Sequence, residues 1–279
     1  MTASGSLVQT AIVVPTAFEA EAYFAHWPQL KLSQTSPWQI YTLERHNDSG
    51  QREIIRLILS FIGPANAAAA TEHIIALGVD RIFNSGSAGA TDPLLLPGDI
   101  VIGSTCKILC DQQTLEVRKS LLLTQSPIRF IKDGVATYLS ELAADSQLLE
   151  AAQAAGNAWQ IKAEQAQSYW SGPGWPQAEK PRSAEVRCGA IGSLDGWTKG
   201  LENLNFIRDT FNVDAEDMES AYIAQIAAIH SIPFLSVRAI SNNEYRSTLA
   251  KDAIIPAVRQ AASRAAQIVI ETVQARWPH

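Results

Sequence analysis

The amino-acid sequence predicts an α/β fold, in which a central, mixed and mostly parallel twisted sheet is flanked by helices. The main observation is that short runs of β-branched residues alternate with alanine-rich segments of helical pattern, an order typical of sheets covered by helices. The length of 279 residues suits a large α/β domain, and an apolar content of 47% is enough for a sizeable core. We therefore assign residues 1–279 to one domain.

The first half of the chain predicts alternating strands and helices. "TAIVV" at 10–14 has the pattern of a buried strand, and "AFEAEAYFAHW" after it begins a helix. "EIIRLILSFIG" at 53–63 predicts a strand that ends at Gly63. "PANAAAATEHIIALG" at 64–78 opens with proline and closes on glycine, which is the usual asymmetry of a helix.

The second half continues this alternation around one irregular stretch. "VDRIFNSGSAGA" predicts a strand that runs into a glycine- and serine-rich loop, and "PGDIVIGSTCKIL" predicts a strand after a Pro-Gly turn. The segment at about 111–182 combines a polar stretch, an alanine-rich helix near 139–155 and "SYWSGPGWPQAEKPR", so we interpret it as an inserted segment of loop and helix. The remaining predicted elements are a segment at 185–196, helices at 200–211 and 218–232, a strand at 233–241 and a final helix from about 251 to 276.

Composition argues against several classes of protein. The net charge is −6, and no basic stripe is present, so neither nucleic acid nor an anionic membrane surface is an expected partner. The first residues lack the features of a signal peptide, and no apolar run reaches the ~20 residues of a membrane-spanning helix. Three cysteines, Cys106, Cys110 and Cys188, favour a reducing compartment over a disulfide scaffold. We expect a cytoplasmic protein.

The motif "CKILC" does not predict a metal site. Its two cysteines are separated by three residues in a strand-like run, and no histidine lies near them. We expect neither a metal ion nor an organic cofactor.

The glycine-rich stretch "FNSGSAGA" is a candidate binding loop, because ligands of such sheets lie beyond the carboxyl ends of the strands. Gly86 and Gly89 allow close approach of the backbone to a ligand, and Ser87 adds a hydroxyl. The same pattern is also typical of a purely structural turn. Its spacing matches neither a dinucleotide-binding motif nor a phosphate-binding P-loop.

Acidic residues crowd the predicted start of the helix in "DAEDMESAYIAQ". Asp214, Glu216 and Asp217 suit the capping of a helix N-terminus, where the dipole favours carboxylates. Glu219 is different, because it precedes a stripe of small residues and is expected to point inward, where a carboxylate needs a partner.

The stretch "IPFLSVRAISNN" places Arg238 within a buried apolar strand. An unpaired buried charge is costly, so Arg238 requires a partner, and Glu219 is the expected one. A pair of sugar hydroxyls would be a further partner of the Glu219 carboxylate. Glu19 follows the first strand at the same edge of the sheet. Taken alone, Glu19 would equally suit the first turn of a solvated helix.

Five motifs together resemble the nucleoside phosphorylase/nucleosidase superfamily. They are "VVPTAFEAEA", "FIGPANAAAATEHII", "NSGSAGATDPLLLPGDIVIGS", "GSLDGW" and "DMESAYIAQIAAIHSIPFLSVRAISN", which cover the sheet and its helices. The resemblance is greatest to the 5'-methylthioadenosine/S-adenosylhomocysteine nucleosidases. It implies a nucleoside phosphorylase-like fold, a hydrolase acting on N-glycosidic bonds without a cofactor, and a homodimer whose partner covers the 5'-side of the pocket.

The resemblance also implies a role for each residue of the expected site. Glu19 would be the acid/base residue that activates a water molecule. The other residues would surround the substrate: Ser87 and Arg238 beside the water and the sugar, Met218 and Glu219 at the ribose, Ile62 on the sugar side, and Trp197 stacked on the base.

Asn84 distinguishes a hydrolase from a phosphorylase. Phosphorylases of this superfamily have an arginine at this position, and a neutral amide cannot supply its charge-assisted grip on phosphate. Water is therefore the expected nucleophile, with a phosphorylase as an alternative.

Asn242 departs from the nucleosidase pattern, in which Ser-Asp ends the strand and the aspartate protonates the base. In Ser241-Asn242, the asparagine has no proton to give, although its amide both donates and accepts hydrogen bonds. This suits a 6-oxopurine better than adenine, and futalosine hydrolases resemble the chain here. The next residue, Asn243, is assigned to the turn.

Lys251 stands where the family commonly has an aromatic residue over the 5'-group, and Arg246 lies nearby. Basic residues there would suit a 5'-substituent that carries a carboxylate, although a solvated lysine is equally consistent with the sequence. The sequence thus predicts a nucleosidase that releases a purine, with a 6-oxopurine or futalosine-like nucleoside as substrate. The alternatives are an adenine-releasing nucleosidase, a phosphorylase and a non-catalytic binding or storage protein.

Overall fold

The computed structural model describes residues 7–47, 50–109 and 128–275. The strands along these residues are β1 Val8–Val14, β2 Lys31–Gln34, β3 Gln39–His46, β4 Arg52–Leu59, β5 Arg81–Ala90, β6 Ile100–Ile108, β7 Ile128–Lys132, β8 Val135–Leu139, β9 Leu142–Ala143, β10 Val186–Ser193, β11 Ala215–Asp217 and β12 Phe234–Asn242. The helices are α1 Glu21–His26, α2 Pro64–Ala76, α3 Ser146–Gln165, α4 Leu201–Phe211, α5 Ser220–Ile229 and α6 Ile254–Gln274, which follows a 3₁₀ turn at Lys251–Ala253.

The main sheet has ten strands in the order β11-β10-β6-β12-β5-β1-β4-β3-β2, with β9 paired to β6. Strand β1 runs parallel to β4 and β5, β12 runs parallel to β5, and β10 runs parallel to β6 and β11. The remaining pairs are antiparallel, so the predicted mixed sheet is confirmed. Strand β11 also pairs with β5, which closes β5, β12, β6, β10 and β11 into a ring.

Helices cover both faces of the sheet, as predicted. Residues of α1, α3 and α6 pack with the sheet into one core cluster, and residues of α2 and α5 pack into a second cluster on the other face. Strand β12 is buried along its whole length, which explains its continuous apolar run. Among the described residues, no helix combines the length and apolar character needed to cross a membrane.

The glycine- and serine-rich stretch that ends at Ala90 was expected to be a loop, but the structure shows that it is the second half of β5. Strand β5 continues to Ala90 because its last residues pair with β12 on one side and with β11 on the other. The small residues allow large side chains from neighbouring strands to lie against this end of β5.

Other boundaries also differ from the predicted ones. Strand β4 ends at Leu59, before the predicted end at Gly63. Helix α5 begins at Ser220 rather than at Met218, and the residues Ala215–Asp217 shortly before it form β11. Helix α3 begins at Ser146 rather than near residue 139. Asp145 precedes it and accepts hydrogen bonds from backbone nitrogens of its first turn.

The segment predicted as an insertion, at about 111–182, is described only from residue 128 onward, and Cys110 also lies outside the described residues. Its described part begins with the hairpin β7-β8. Helix α3 then contributes Leu148 and Ala152 to the core. The tryptophan-rich stretch packs through Trp170, which is buried and lies against the guanidinium of Arg264.

Candidate active site

A cavity of about 440 Å³ lies at the carboxyl ends of β1, β5 and β12. Strand ends meet there because these strands run parallel, so residues distant in sequence share one wall. All predicted site residues except Lys251 line the cavity: Glu19, Ile62, Ser87, Trp197, Met218, Glu219, Arg238, Ser241 and Asn242.

Glu19 is held in place by three hydrogen bonds. Its Oε1 accepts from the backbone nitrogen of Ser87 at 3.0 Å and from the Ser87 hydroxyl at 3.2 Å, and its Oε2 accepts from the Thr16 hydroxyl at 2.7 Å. The side chain lies in the turn before α1 and is 5% exposed. This carboxylate is therefore oriented toward the cavity by residues of β5 and of the loop after β1.

Among the described residues, Arg238 is the largest fully buried side chain, and each of its guanidinium nitrogens has a partner. Its Nε lies 2.8 Å from Asp217 Oδ2, and its Nη2 lies 3.3 Å from Glu219 Oε2. Its Nη1 donates to the carbonyl oxygen of Ser87 at 3.2 Å. Burial acts to lower the pKa of Arg238, but the nearby carboxylates outweigh it and raise the pKa, so the guanidinium stays charged.

Asp217 is the ionic partner that sequence reasoning missed, since its position suggested only a helix cap. It does accept from the backbone nitrogens of Glu219 and Ser220, as a cap would. Its carboxylate also accepts from the Ser193 hydroxyl at 2.5 Å and pairs with Arg238. The signal that identifies it is the buried arginine, whose five N–H donors need more acceptors than the carboxylate of Glu219 alone provides.

Glu219 stands at the start of α5 and is 3% exposed. Its Oε1 accepts from the backbone nitrogen of Gly63 at 3.0 Å. Burial raises the pKa of Glu219, and Arg238 opposes this rise. The side chain thus lines the cavity beside Met218, and its carboxyl oxygens can accept hydrogen bonds there.

Asn84 is fully buried and forms a hydrogen bond with Arg238. Its Oδ1 accepts from Arg238 Nη2 at 2.6 Å, and its Nδ2 donates to the carbonyl oxygen of Val13 at 3.0 Å. The amide therefore orients the arginine, and Asn84 is not among the residues that line the cavity.

Gly86 is the point of closest approach in the site. A Cβ atom there would lie 2.5 Å from Nη1 of Arg238 and 2.9 Å from Oε1 of Glu19. Only glycine leaves room for both side chains to reach the end of β5.

A second group of residues forms the far side of the cavity, where the base is expected. The Ser241 hydroxyl donates to Asn242 Oδ1 at 2.8 Å, so the amide presents its NH₂ group away from Ser241. Trp197, from the loop after β10, lines the same cavity and is 37% exposed. Asn243 lies outside the cavity lining and ties the turn after β12 by donating to the Leu95 carbonyl at 2.5 Å.

The structure does not bring Lys251 to the cavity. Its side chain is exposed in the 3₁₀ turn before α6. The wall contributed by this part of the chain is apolar instead, and it consists of Leu249, Ile254, Ile255 and Val258. Arg246 is engaged elsewhere, with Glu179 and the carbonyl of Pro93.

Glu216 is a further cavity residue that the sequence did not single out. It lies in β11 opposite Gly89 rather than in a helix cap, and it is 5% exposed. A strand of three residues is too short for its alternating pattern to be recognised in the sequence.

Within the described residues, no group of three or more histidine, cysteine, aspartate or glutamate side chains could hold a metal ion.

The fold and the site together define a class of protein. The chain belongs to the phosphorylase superfamily, whose family profile matches residues 9–274. The resemblance derived from the five motifs is thereby confirmed.

Particular relatives are nucleosidases. A 5'-methylthioadenosine/S-adenosylhomocysteine nucleosidase from Glaesserella parasuis is 28% identical over 262 residues, which are 93% of this chain and 95% of that relative. The structure of an enzyme of the same name from Neisseria meningitidis, in complex with methylthio-immucillin-A, is 26% identical with a TM-score of 0.70 and covers 95% of this chain and 98% of that chain. The futalosine hydrolase of Helicobacter pylori is 17% identical with a TM-score of 0.71, covers 95% of this chain and 97% of that chain, and shares the fold.

Proposed function

We propose that the protein is a nucleosidase, a purine nucleoside N-ribosyl hydrolase that releases the base with water as nucleophile. The observation that carries the proposal is the cluster of Glu19, Ser87, Glu219 and Arg238, which meet in one cavity at the carboxyl ends of the strands.

The chemistry of N-glycosidic cleavage matches this cluster. Positive charge builds on the ribosyl ring as the bond to the base breaks, and nearby carboxylates stabilise that charge. Glu19 accepts a proton from the attacking water, while Glu219 accepts hydrogen bonds from the sugar hydroxyls. Ser87 and Arg238 keep these two carboxylates in place.

Water rather than phosphate is the nucleophile that the charges favour. The single positive charge of Arg238 is already opposed by Asp217 and Glu219, with Glu19 close by. An incoming phosphate would meet an excess of negative charge in a buried site, where repulsion is weakly screened. Asn84 supplies no compensating positive charge, because its amide is neutral, and its Oδ1 already accepts a hydrogen bond from Arg238.

Asn242 supports a 6-oxopurine as the leaving base. Its NH₂ group faces away from Ser241 and donates hydrogen bonds, and the O6 and N7 atoms of a 6-oxopurine both accept them. Trp197 offers a ring on which the base can stack.

A second candidate is an adenine-releasing 5'-methylthioadenosine/S-adenosylhomocysteine nucleosidase. The apolar wall of Leu249, Ile254 and Val258 favours it, because this wall suits an alkylthio group better than a charged 5'-substituent. The named activities of the relatives point the same way.

We also infer that the protein is a homodimer and acts in a reducing, cytoplasmic setting. Phe61 is 64% exposed and Ile255 is 53% exposed, and both lie at or next to the cavity, as an apolar surface covered by a second copy would. Cys106 and Cys188 are free thiols, which suits a reducing compartment. Light scattering measures the oligomeric state, and a monomer at micromolar concentration would contradict the first of these inferences.

A nucleoside panel tests the proposed activity. Base release is followed by absorbance and chromatography for inosine, futalosine, methylthioadenosine and S-adenosylhomocysteine. We expect the 6-oxopurine nucleosides to be cleaved with the higher kcat/KM. The reverse ranking would support the adenine-specific candidate, and inactivity on all four would contradict the proposed function and favour a binding protein.

A further inference from the structure

The carboxyl group of Glu216 has an environment unlike that of the other acids of the cavity. Its Oε1 accepts one hydrogen bond, from the backbone nitrogen of Thr198 at 3.1 Å. Its Oε2 is buried and has no hydrogen-bond partner among the described residues. Asp217 and Glu219 both pair with Arg238, whereas Glu216 forms no ion pair within the described part of the chain.

The surroundings of Glu216 favour its protonated form. The pKa of Glu216 is raised to about 7, mainly by burial and also by the carboxylates of Asp217 and Glu244, while hydrogen bonding to Thr198 opposes the rise. The pKa of Tyr245 is raised mainly by burial, and the charge of Glu216 adds to that rise. A buried carboxyl group that faces two negative charges and no cation retains its proton at neutral pH more readily than an exposed one.

The side chains of Glu216 and Asn242 both lie next to the backbone of Gly89. A Cβ atom on Gly89 would lie 3.5 Å from Asn242 Nδ2 and 3.5 Å from Glu216 Cγ. Both side chains line the cavity on the side where Trp197 stands. A carboxyl group therefore lies next to the asparagine that occupies the place of the usual acid.

We propose that Glu216 is the proton donor to the leaving base. This inference rests on the proposed nucleosidase activity and supplies the acid that Asn242 cannot provide. As the bond between C1' and N9 breaks, its electron pair moves into the purine, and the Glu216 carboxyl group transfers its proton to N7. Water adds to C1' and gives a proton to Glu19. The products are the neutral base and the free sugar, and exchange with solvent returns the proton from Glu19 and restores that of Glu216.

The variant Glu216→Gln tests this role, because glutamine keeps the shape and loses the transferable proton. With a purine nucleoside at pH 6, we expect kcat to fall by about 100- to 10,000-fold. With p-nitrophenyl riboside, whose leaving group needs no proton, the variant should stay within a few-fold of the wild type. Equal losses on both substrates, or no loss on either, would overturn the proposal.

The pH dependence of kcat distinguishes proton donation by Glu216 from a purely structural role of this residue. For the wild type, kcat should fall as the pH rises through about 7, because the donor must be protonated, and this alkaline limb should disappear in Glu216→Gln. The variant Glu244→Gln removes a charge that raises the pKa of Glu216, so its alkaline limb should shift to lower pH with kcat preserved below it. An unchanged midpoint in Glu244→Gln and a retained limb in Glu216→Gln would contradict the assignment.

A second substitution keeps the test informative if the first weakens the fold. Asn242→Asp places an acid at the neighbouring position, and we expect it to restore purine release in the Glu216→Gln background. Failure of this rescue in a double variant that melts like the wild type would count against proton donation. Wild-type inactivity on every nucleoside would contradict the nucleosidase proposal itself, whereas an active wild type with an unaffected Glu216→Gln variant would overturn only the role of Glu216.

Discussion

At the scale of residues, the site consists of one buried cation and several carboxylates with different tasks. Arg238 is neutralised by Asp217 and Glu219, and its guanidinium is oriented by Asn84. Glu19 is held by hydroxyl and backbone donors instead, and it forms no ion pair within the described residues. This arrangement leaves Glu19 able to accept a proton while Arg238 holds the surrounding structure.

Replacing Glu19 with glutamine tests its role as the base. Glutamine can accept the hydrogen bond from Thr16 but cannot take a proton from water, so we expect kcat for base release to fall by about 100- to 10,000-fold. Steady-state kinetics on the best nucleoside measure this. A retained melting temperature shows that the fold is intact, and undiminished turnover would contradict the role of Glu19.

The variant Gly86→Ala tests the close approach at the end of β5. Its methyl group would overlap the positions of Arg238 Nη1 and Glu19 Oε1, so we expect lost activity and a free energy of unfolding reduced by about 1–3 kcal/mol. Gly196→Ala is the matched control for stability, because a Cβ atom there meets nothing within 4 Å. Denaturant titration compares the two, and equal stabilities would show that Gly86 is not constrained.

At the scale of elements, the site depends on the short strand β11, which joins β10 to β5 and precedes α5. The sequence does not reveal this strand, because acidic residues before a helix look like caps. The strand β12, by contrast, is evident from its apolar run, and its buried arginine correctly indicates a polar site at its end. Long elements with a periodic apolar pattern can be predicted from the sequence. A three-residue strand cannot, because only its pairing with distant segments defines it.

Asp217→Asn tests how strongly β11 is tied to β12. Removing this carboxylate leaves Arg238 with Glu219 as its remaining direct ion pair, so we expect a loss of about 3 kcal/mol in unfolding free energy, at the lower end of the range for broken buried pairs. Glu44→Gln is the control, because it breaks an exposed pair with Arg52 and should change stability by less than about 1 kcal/mol. A loss in Asp217→Asn no larger than in the control would contradict the buried pair.

The cap at the start of α3 can be tested by mutation. This helix lies in the segment at about 111–182, which the sequence predicts as an insertion. Asp145 accepts from the backbone nitrogens of Gln147 and Leu148 at 3.0 Å each. Asp145→Ala should reduce the unfolding free energy by about 0.5–2 kcal/mol, and Asp145→Asn should be close to the wild type, because asparagine also caps. Equal effects of the two substitutions in thermal or denaturant melts would argue against the cap.

At the scale of the whole molecule, the fold brings together residues of β5, β11, β12 and the loops after β1, β4 and β10. The sequence motifs predict the sheet, its helical layers and nine of the residues that line the cavity. They fail for Lys251, because the position of a side chain in an irregular connection depends on packing that no local pattern encodes. They also pass over Glu216, whose importance follows only from its contacts with residues far away in the chain.

Water is the proposed nucleophile for cleavage of a purine nucleoside in this cavity. The most direct measurement identifies the sugar product of a cleaved purine nucleoside after reaction in phosphate buffer. We predict a free reducing sugar with the same rate of base release in the presence and absence of phosphate. A sugar 1-phosphate as product, or base release that requires phosphate, would show that phosphate and not water is the nucleophile.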